Sequence, residues 1–534
     1  MKRYITAVLI FALGLSVGGS SQSKGFKLGQ WSEIYNSVLS KITQNYVDSL
    51  PVDKMGKDAI DAMLADLDPY TIYVPESEQD DFELMITKSY GGIGAIIYKP
   101  TKESNVIINE PFKDSPAALN GLVCGDEITE VDGVSVLGLT ADQATSRMKG
   151  KPGTRVVFTV KKVRSGETVT IPITREQIHT PDVEYYGMLD EKTGYILQTQ
   201  FTEGVSKEIA NAVVDLKKQG MKRLVLDLRG NGGGLMDEAV KIVALFVPKG
   251  TEVVSSKGTD GEVHYRTQTE PLDLNLPLMV LVDSGSASAS EIVSGAVQDL
   301  DRGVIAGLRT FGKGLVQRVI PVSYNGQLKV TVAKYYTPSG RCVQAKDYSH
   351  REEDGSVGNI PDSLTREFRT AGGRTVRDGG GITPDITLKK IRFSRVTYGV
   401  FLGGLTNNYP LEYVRSHESI PPAEDFHMSD ADYEDFVDWA LTQTFDCRSE
   451  SETYYDLLVE QMKKDGEWEL AEDALKQVEN IVKMDKRAAL MRSRSEIQPL
   501  LEEEIVVRYY FQAAGIKVRL RTDSQLKEAL SKWE

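Results

Sequence analysis

The stretch Leu278-Met-Val-Leu-Val-Asp-Ser-Gly-Ser-Ala-Ser-Ala-Ser-Glu-Ile292 passes from an unbroken apolar run through small and hydroxylated residues into a second apolar pattern. The first part reads as a fully buried strand and the last as the start of an apolar helix. Ser284, Ser286, Ser288 and Ser290 therefore lie beyond the carboxyl end of a strand, where α/β sheets bind their ligands. The small alanines between them let a substrate backbone come close. The following helix turns its first unbonded N–H groups toward the same spot, which suits an oxyanion. Taken alone, the run reads more simply as a helix cap with solvated neighbours.

Strands and helices alternate around this segment from Tyr195 onward, the mark of a layered α/β arrangement. Over Glu203 to Gln219, Ile209, Val213 and Leu216 share one helical face, and Gly220 is placed to end the helix. Arg223-Leu-Val-Leu-Asp-Leu-Arg229 is another buried-type strand, followed by Gly230-Asn-Gly-Gly-Gly234 and a helix to about Phe246. Downstream, Val304-Ile-Ala306 leads into Gly307-Leu-Arg-Thr-Phe-Gly-Lys-Gly314. Lys313, flanked by glycines, can approach a neighbouring surface. It serves as a base only if burial lowers its pKa from about 10.4 to about 7, which costs roughly 4 to 5 kcal/mol. Leu315, Val316 and Val319 are suited to that. Seen alone, the same lysine reads as a solvated residue in a glycine turn. The segment also nearly spells a phosphate-binding loop, but Gly314 stands where such a loop needs Ser or Thr, and Leu315 to Ile320 reads as a strand rather than a phosphate-capping helix.

Upstream, from Tyr90, short strands alternate with Gly-rich turns. Gly91, Gly92, Ile93 and Gly94 form a turn in which backbone N–H groups can face an anion. Together with Ser115-Pro-Ala-Ala-Leu-Asn-Gly-Leu122, Gly125-Asp-Glu-Ile128 and Val131-Asp-Gly133, in that order, it resembles a PDZ domain, in which such a loop caps a peptide's terminal carboxylate while the peptide extends the sheet. Before it, residues from about Trp31 to Lys88 read helical, with Ile34, Val38 and Ile42 four apart and Leu67-Asp-Pro69 as a stop. From Ser416 onward the chain is acidic and helical again, with a capping box at Ser429-Asp-Ala-Asp432.

A formal charge of −14 with no late Lys/Arg cluster removes the electrostatic footprint of a nucleic-acid binder. Lys2 and Arg3 precede the apolar run from Tyr4 to Gly19 and then polar residues, which reads as an export signal or a short uncleaved membrane anchor. Either way the body of the protein is expected outside the cytoplasm, in the periplasm. Cys124, Cys342 and Cys447 show no metal-ligand spacing and read as space-filling.

Ser286-Ala-Ser-Ala-Ser-Glu-Ile292, Gln298-Asp299, Phe311-Gly-Lys-Gly314 with Gln317, Leu228-Arg-Gly-Asn-Gly-Gly-Gly234, Tyr335-Tyr-Thr-Pro-Ser-Gly-Arg341 and Gly379-Gly-Gly-Ile-Thr-Pro-Asp385 together resemble the C-terminal processing peptidases, or tail-specific proteases. The resemblance implies a serine endopeptidase with a ClpP/crotonase-like α/β core, an inserted PDZ domain, and helical N- and C-terminal regions. It implies a dyad of nucleophile Ser288 and base Lys313, with Gln317 aligning the amine. An oxyanion hole would come from Ala289 and one N–H of the Gly232 to Gly234 turn, with Gly233 and Gly234 as candidates. Asp299 would be structural, and no cofactor or metal is expected. The expected boundaries are residues 1–24 for the signal or anchor, 25–87 for the helical N-terminal region, 88–176 for the PDZ domain, 177–400 for the protease core and 401–534 for the helical C-terminal region. Partners would be protein substrates with accessible C-terminal tails. The helical regions are expected to pack on the core or to build a homodimer, and an adaptor or activator is a further candidate partner. A non-enzymatic PDZ scaffold of the same shape is the rival class, and the intact trio Ser288, Lys313 and Gln317 argues against it.

Overall fold

The computed structural model describes residues 23–351, 355–483 and 485–533, so nearly all of the expected export segment lies outside the described residues. No helix among the described residues is long and apolar enough to cross a membrane. The chain divides into two compact units, Met1–Tyr73 and Val74–Glu534.

In the first unit, helices α1 (Lys24–Asn45) and α2 (Val52–Ala65) follow the expected period. The apolar stripe of α1 is uncovered, however, and Trp31, Ile34 and Val38 are exposed. The chain turns away from α2 where the Asp68 carboxylate accepts the N–H groups of Tyr70 and Thr71 and the Thr71 hydroxyl.

The second unit opens with helix α3 (Gln79–Thr87) and strand β1 (Ser89–Gly92). A β-rich module follows, with sheet order β2 (Ala95–Tyr98), β3 (Val106–Pro111), β4 (Glu127–Val131), β5 (Arg155–Lys161), β6 (Thr168–Thr174), so that β2 is an edge strand. Strand β7 (Glu176–His179) pairs with β1 instead. Helix α4 (Pro116–Leu119) is capped by the Ser115 hydroxyl, and α5 (Ala141–Met148) by a Thr140/Gln143 capping box. Gly91 and Gly92 stand within β1, opposite Gln177 and Glu176, rather than in the turn. Of the four residues expected to form the carboxylate loop, Ile93 and Gly94 lie between the strands. Gly94 has φ +74, and a Cβ there would meet Ser115 Cβ at 2.5 Å.

The α/β layer is a six-stranded sheet in the order β8 (Val183–Met188), β9 (Thr193–Gln198), β10 (Arg223–Asp227), β13 (Leu278–Val282), β14 (Val304–Gly307), β17 (Ile386–Thr387), parallel except for the β8–β9 pair. Strands β11 (Glu252–Gly258) and β12 (Gly261–Arg266) join a second sheet with the ribbon β15 (Leu315–Pro321) and β16 (Gln327–Tyr336). Successive residues of the central strands serve opposite faces. Ile196, Leu224, Leu226, Val280 and Ile305 pack under helices α6 (Val205–Lys218), α7 (Met236–Ala244) and α8 (Ala289–Asp299). Tyr195, Leu197, Val225, Met279 and Leu281 pack against the far end of the chain.

That end belongs to the C-terminal helices. Helices α9 (Arg395–Leu402), α10 (Leu405–Ser416), α11 (Asp430–Leu441), α14 (Lys486–Arg492) and α15 (Arg494–Leu520) build a core of their own, in which Tyr433, Phe436 and Leu501 are fully buried. The hairpin α12 (Glu450–Asp465) and α13 (Trp468–Val482) buries only Tyr455 and Leu475 within its own helices. Ile516 at the end of α15, with Leu526 and Ala529 of α16 (Ser524–Ser531), covers the second face of the six-stranded sheet. A tail that from sequence offered only packing or a second copy is thus the sheet's missing layer.

Helix α15 breaks at Phe511, whose φ of 67 is unusual for a bulky residue. The Gln512 N–H released there donates to the Glu110 carboxylate of β3. Arg508 donates to Asn109 at 3.1 Å and pairs with Glu504 at 3.0 Å. Burial raises the Glu110 pKa to about 7, against the pull of Arg508. Between about pH 4.5 and 7 the folded protein holds a proton that the unfolded chain has released, so stability falls as pH rises through this window, by about 3 kcal/mol in all. Glu110→Gln, which keeps an acceptor for Gln512, is expected to match the wild type near pH 5 and to exceed it at pH 8, read as the denaturant midpoint of unfolding. An unchanged pH slope would count against this assignment.

Candidate active site

Strand β13 is buried along its whole length and delivers the serine run to the start of α8, all of whose residues are buried. Ser286 and Ser290 are structural: their hydroxyls donate to the carbonyls of Leu228 and Asn231, at 2.7 and 2.8 Å. Ser288 is different. It stands at the N-cap of α8, as the simple reading of the sequence expects, but with φ 56 and ψ −113 in place of the extended backbone usual at a cap. A non-glycine residue held this way costs on the order of 1–3 kcal/mol and persists only where its surroundings over-determine it.

Glu291 and Tyr335 are those surroundings. The Glu291 carboxylate is fully buried and accepts the N–H groups of Ser288, Gly312 and Lys313 at 2.9, 2.8 and 2.8 Å, together with the Thr310 hydroxyl at 2.6 Å. Burial pushes its pKa up, and the Thr310 hydroxyl and the three N–H groups pull the other way. The Tyr335 hydroxyl donates to the Ser288 carbonyl at 3.1 Å. One carboxylate thus ties the serine turn to the lysine turn.

Ser288, Lys313 and Gln317 line one cleft of about 510 Å³. Phe82, Met85 and Ile86 of α3 form an apolar wall, and Gly232, Gly233 and Gly234 approach from β10. The ribbon β15–β16 forms the other side. Its register slips between Val316 and Gln317, where β16 carries an extra residue, the kind of bulge that re-aims side chains beside a site. Gln317 donates its amide to Thr331 at 3.2 Å. None of the five histidines lines the cleft. Asp299 lies at the other end of α8, bonded to Arg341, Thr337 and Ser339. The segment after Lys313 is a strand, so the phosphate-loop alternative lacks its helix.

The glycine turn needs one correction. Gly233 approaches so closely that a Cβ would lie 2.7 Å from both the Ala287 carbonyl and Ser288 Cβ, and its φ is +100. Its N–H, however, donates to Asn231 Oδ1 at 2.9 Å, so in this conformation Gly233 is not an oxyanion donor. Ala289, first in the helix, has no intrahelical acceptor for its N–H. The turn is anchored at its base, where the Arg229 guanidinium grips Asp227 and reaches the C-terminal segment, 2.6 Å from Asp523 and 3.2 Å from Gln525. Tyr195 donates to the same Asp227 at 2.8 Å.

Sequence reasoning passed over Glu291, Tyr335 and Asn231. Glu291 was the readable one, since it stands three residues after Ser288 at capping-box spacing. In the β-rich module, the Ala95 N–H reaches the Tyr90 hydroxyl, and the Lys149 ammonium lies 5.7 Å from the Tyr90 ring centroid, beside the Ile93–Gly94 turn. Burial pushes the Cys124 thiol up to about 12, which keeps it unreactive as a space-filler.

A serine held at a helix N-terminus over a glycine turn, a lysine in the same cleft and a peptide-binding type of module describe a serine-type peptidase with a PDZ domain. Residues 192–351 match peptidase family S41, residues 107–162 a PDZ domain, and residues 397–532 the C-terminal helical domain of probable PDZ-proteases. The carboxy-terminal-processing protease of Bartonella bacilliformis is 34% identical over 348 residues, 64% of this chain and 78% of that one. A probable CtpA-like serine protease of Staphylococcus aureus is 35% identical over 346 residues, 64% of this chain and 68% of its own. Among solved structures, a photosystem II D1 C-terminal processing protease aligns over 66% of this chain and 92% of its own, at 27% identity and a TM-score of 0.35. The chain belongs to the carboxy-terminal-processing proteases of peptidase family S41.

Glu291→Gln tests the shared carboxylate. Glutamine presents an NH2 group to donors that need an acceptor, and each buried donor left unpaired costs about 1–3 kcal/mol. A lower melting temperature is expected, with a fall in kcat that exceeds any change in KM. Retention of kcat within twofold would show that the two turns do not depend on it.

Proposed function

We propose that this protease cleaves peptide bonds with Ser288 as nucleophile and Lys313 as general base. The observation that carries the reading is the Glu291 carboxylate, which accepts the backbone N–H of both residues while both line one cleft. Neutral Lys313 takes the proton of the Ser288 hydroxyl as its oxygen attacks the peptide carbonyl. The tetrahedral oxyanion is met by the Ala289 N–H and by the N–H of Gly232 or Gly234. Lys313 then gives its proton to the leaving amine, and an ester on Ser288 remains. Water, deprotonated by the same lysine, releases the acid product. Gln317 aligns the lysine amine from β15.

The PDZ domain captures the substrate's C-terminal tail. A tail lying against the edge strand β2 extends the sheet, and its carboxylate meets the Ile93–Gly94 turn near Lys149. Exported proteins with accessible tails are the substrate class, in keeping with the charged and apolar opening of the chain.

Ser288→Ala and Lys313→Ala are each expected to lower cleavage of a loosely folded, tailed substrate by about a thousandfold or more, with the variants still folded by circular dichroism. Amidating the substrate's terminal carboxylate is expected to raise KM more than it lowers kcat. Undiminished cleavage by either variant would refute the dyad, and indifference to amidation would refute tail capture at Ile93–Gly94.

A further inference from the structure

Lys329 of β16 lines the same cleft as Ser288 and Lys313, and among the described residues that line it there is no Asp or Glu, in a chain whose formal charge is −14. Among its described lining residues, the cleft of an acidic protein thus presents lysine side chains and no carboxylate. Burial pulls the Lys329 ammonium below the ordinary lysine range. Among the described residues no carboxylate is placed against this partly desolvated cation, an arrangement that a ligand's carboxylate would relieve.

The strand register says where along a substrate that ligand lies. Lys329 stands opposite Val319, and Thr331 opposite Gln317. Lys329 is thus one same-face step, roughly 7 Å, along β16 from the residue bonded to Gln317. An extended substrate repeats its side chains at the same spacing, so a group within two or three residues of the attacked bond comes level with Lys329.

We propose that Lys329 is a specificity residue that takes a carboxylate of the substrate, an Asp or Glu side chain or the α-carboxylate of a short tail, within about three residues of the bond that Ser288 attacks. This rests on the dyad reading above. The plainer role, a lysine stem packed on the cleft wall, needs the carbons and not the charge, and the two roles separate experimentally.

Internally quenched peptides of one cleavable sequence, all amidated to silence terminal capture, would carry Asp or Asn at each of the three positions on either side of the bond. A second pair would end three residues beyond the bond as the free acid or the amide. The first set reads side-chain carboxylates and the second the terminal one. At one position, or for the acid/amide pair, wild type is expected to prefer the carboxylate by about tenfold in kcat/KM. Lys329→Met, which keeps the apolar stem, should abolish the ratio, Lys329→Arg should keep it, and Lys329→Glu should turn it toward a Lys-bearing peptide. Each ratio is taken within one enzyme, so a change in overall activity does not enter it. Ratios near one throughout for the wild type, or a ratio that survives in Lys329→Met, would overturn the proposal. Cleavage of none of the peptides, or cleavage that survives Ser288→Ala, would overturn the dyad reading and this inference with it.

Discussion

The buried carboxylate of Glu291 holds the catalytic end of this molecule together. Four donors converge on it, and two are the backbone N–H groups of Ser288 and Lys313. A buried charge is tolerable only when every lone pair facing the protein is used. The turn after β13 and the turn after β14 are therefore tied to a common point, and neither shifts without unpairing part of the set. The same bonds hold Ser288 in its unusual backbone conformation, with Tyr335 fastening the carbonyl side. Strain at the serine and charge at the glutamate are two parts of one arrangement.

That arrangement rests on a sheet that is apolar on both faces. A parallel sheet of this kind needs a covering layer on each side. Helices α6, α7 and α8 supply one, and the last stretch of α15 with α16 supplies the other. The C-terminal helices are thus part of the protease core, although the sequence between them and the sheet is long. The contact is polar as well as apolar, since Asp523 and Gln525 reach Arg229 at the foot of the glycine turn. Helix α15 also meets the PDZ domain at its break, through Glu110 and Asn109. One helix therefore touches both the module that resembles tail-binding domains and the layer beneath the cleft.

Much of this was legible in the chain. The apolar run of β13, the serine turn and the onset of α8 were readable from residue types alone, because burial and helix capping leave a local imprint. The capping box at Ser429 was similarly local and is found where its spacing places it. Less legible were features that depend on a partner. The apolar stripe of α1 has the right period and no cover, since periodicity reports a face and not what lies against it. Gly91 and Gly92 look like loop glycines but pair as a strand with residues far along the chain. Gly233 looks like an oxyanion donor, yet its N–H belongs to the Asn231 side chain.

By itself the sequence determined the class of the protein and its chemical vocabulary: an α/β protease core, a PDZ module, a serine at a strand end and a glycine-flanked lysine. The strand end, the helix start and the glycine-flanked lysine follow from short-range rules, namely which side chains bury, which cap and which turn, whereas the protease class and the PDZ module follow from the resemblance of the motifs to a known family. Only the tertiary structure decided which of the four serines is singled out by its backbone, which carboxylate joins it to Lys313, which N–H groups are already spent, and that Lys329 shares the cleft. Each of these is a pairing across loops or strands distant in sequence. Such pairings are set by packing and register, of which a single chain read in order carries no local record.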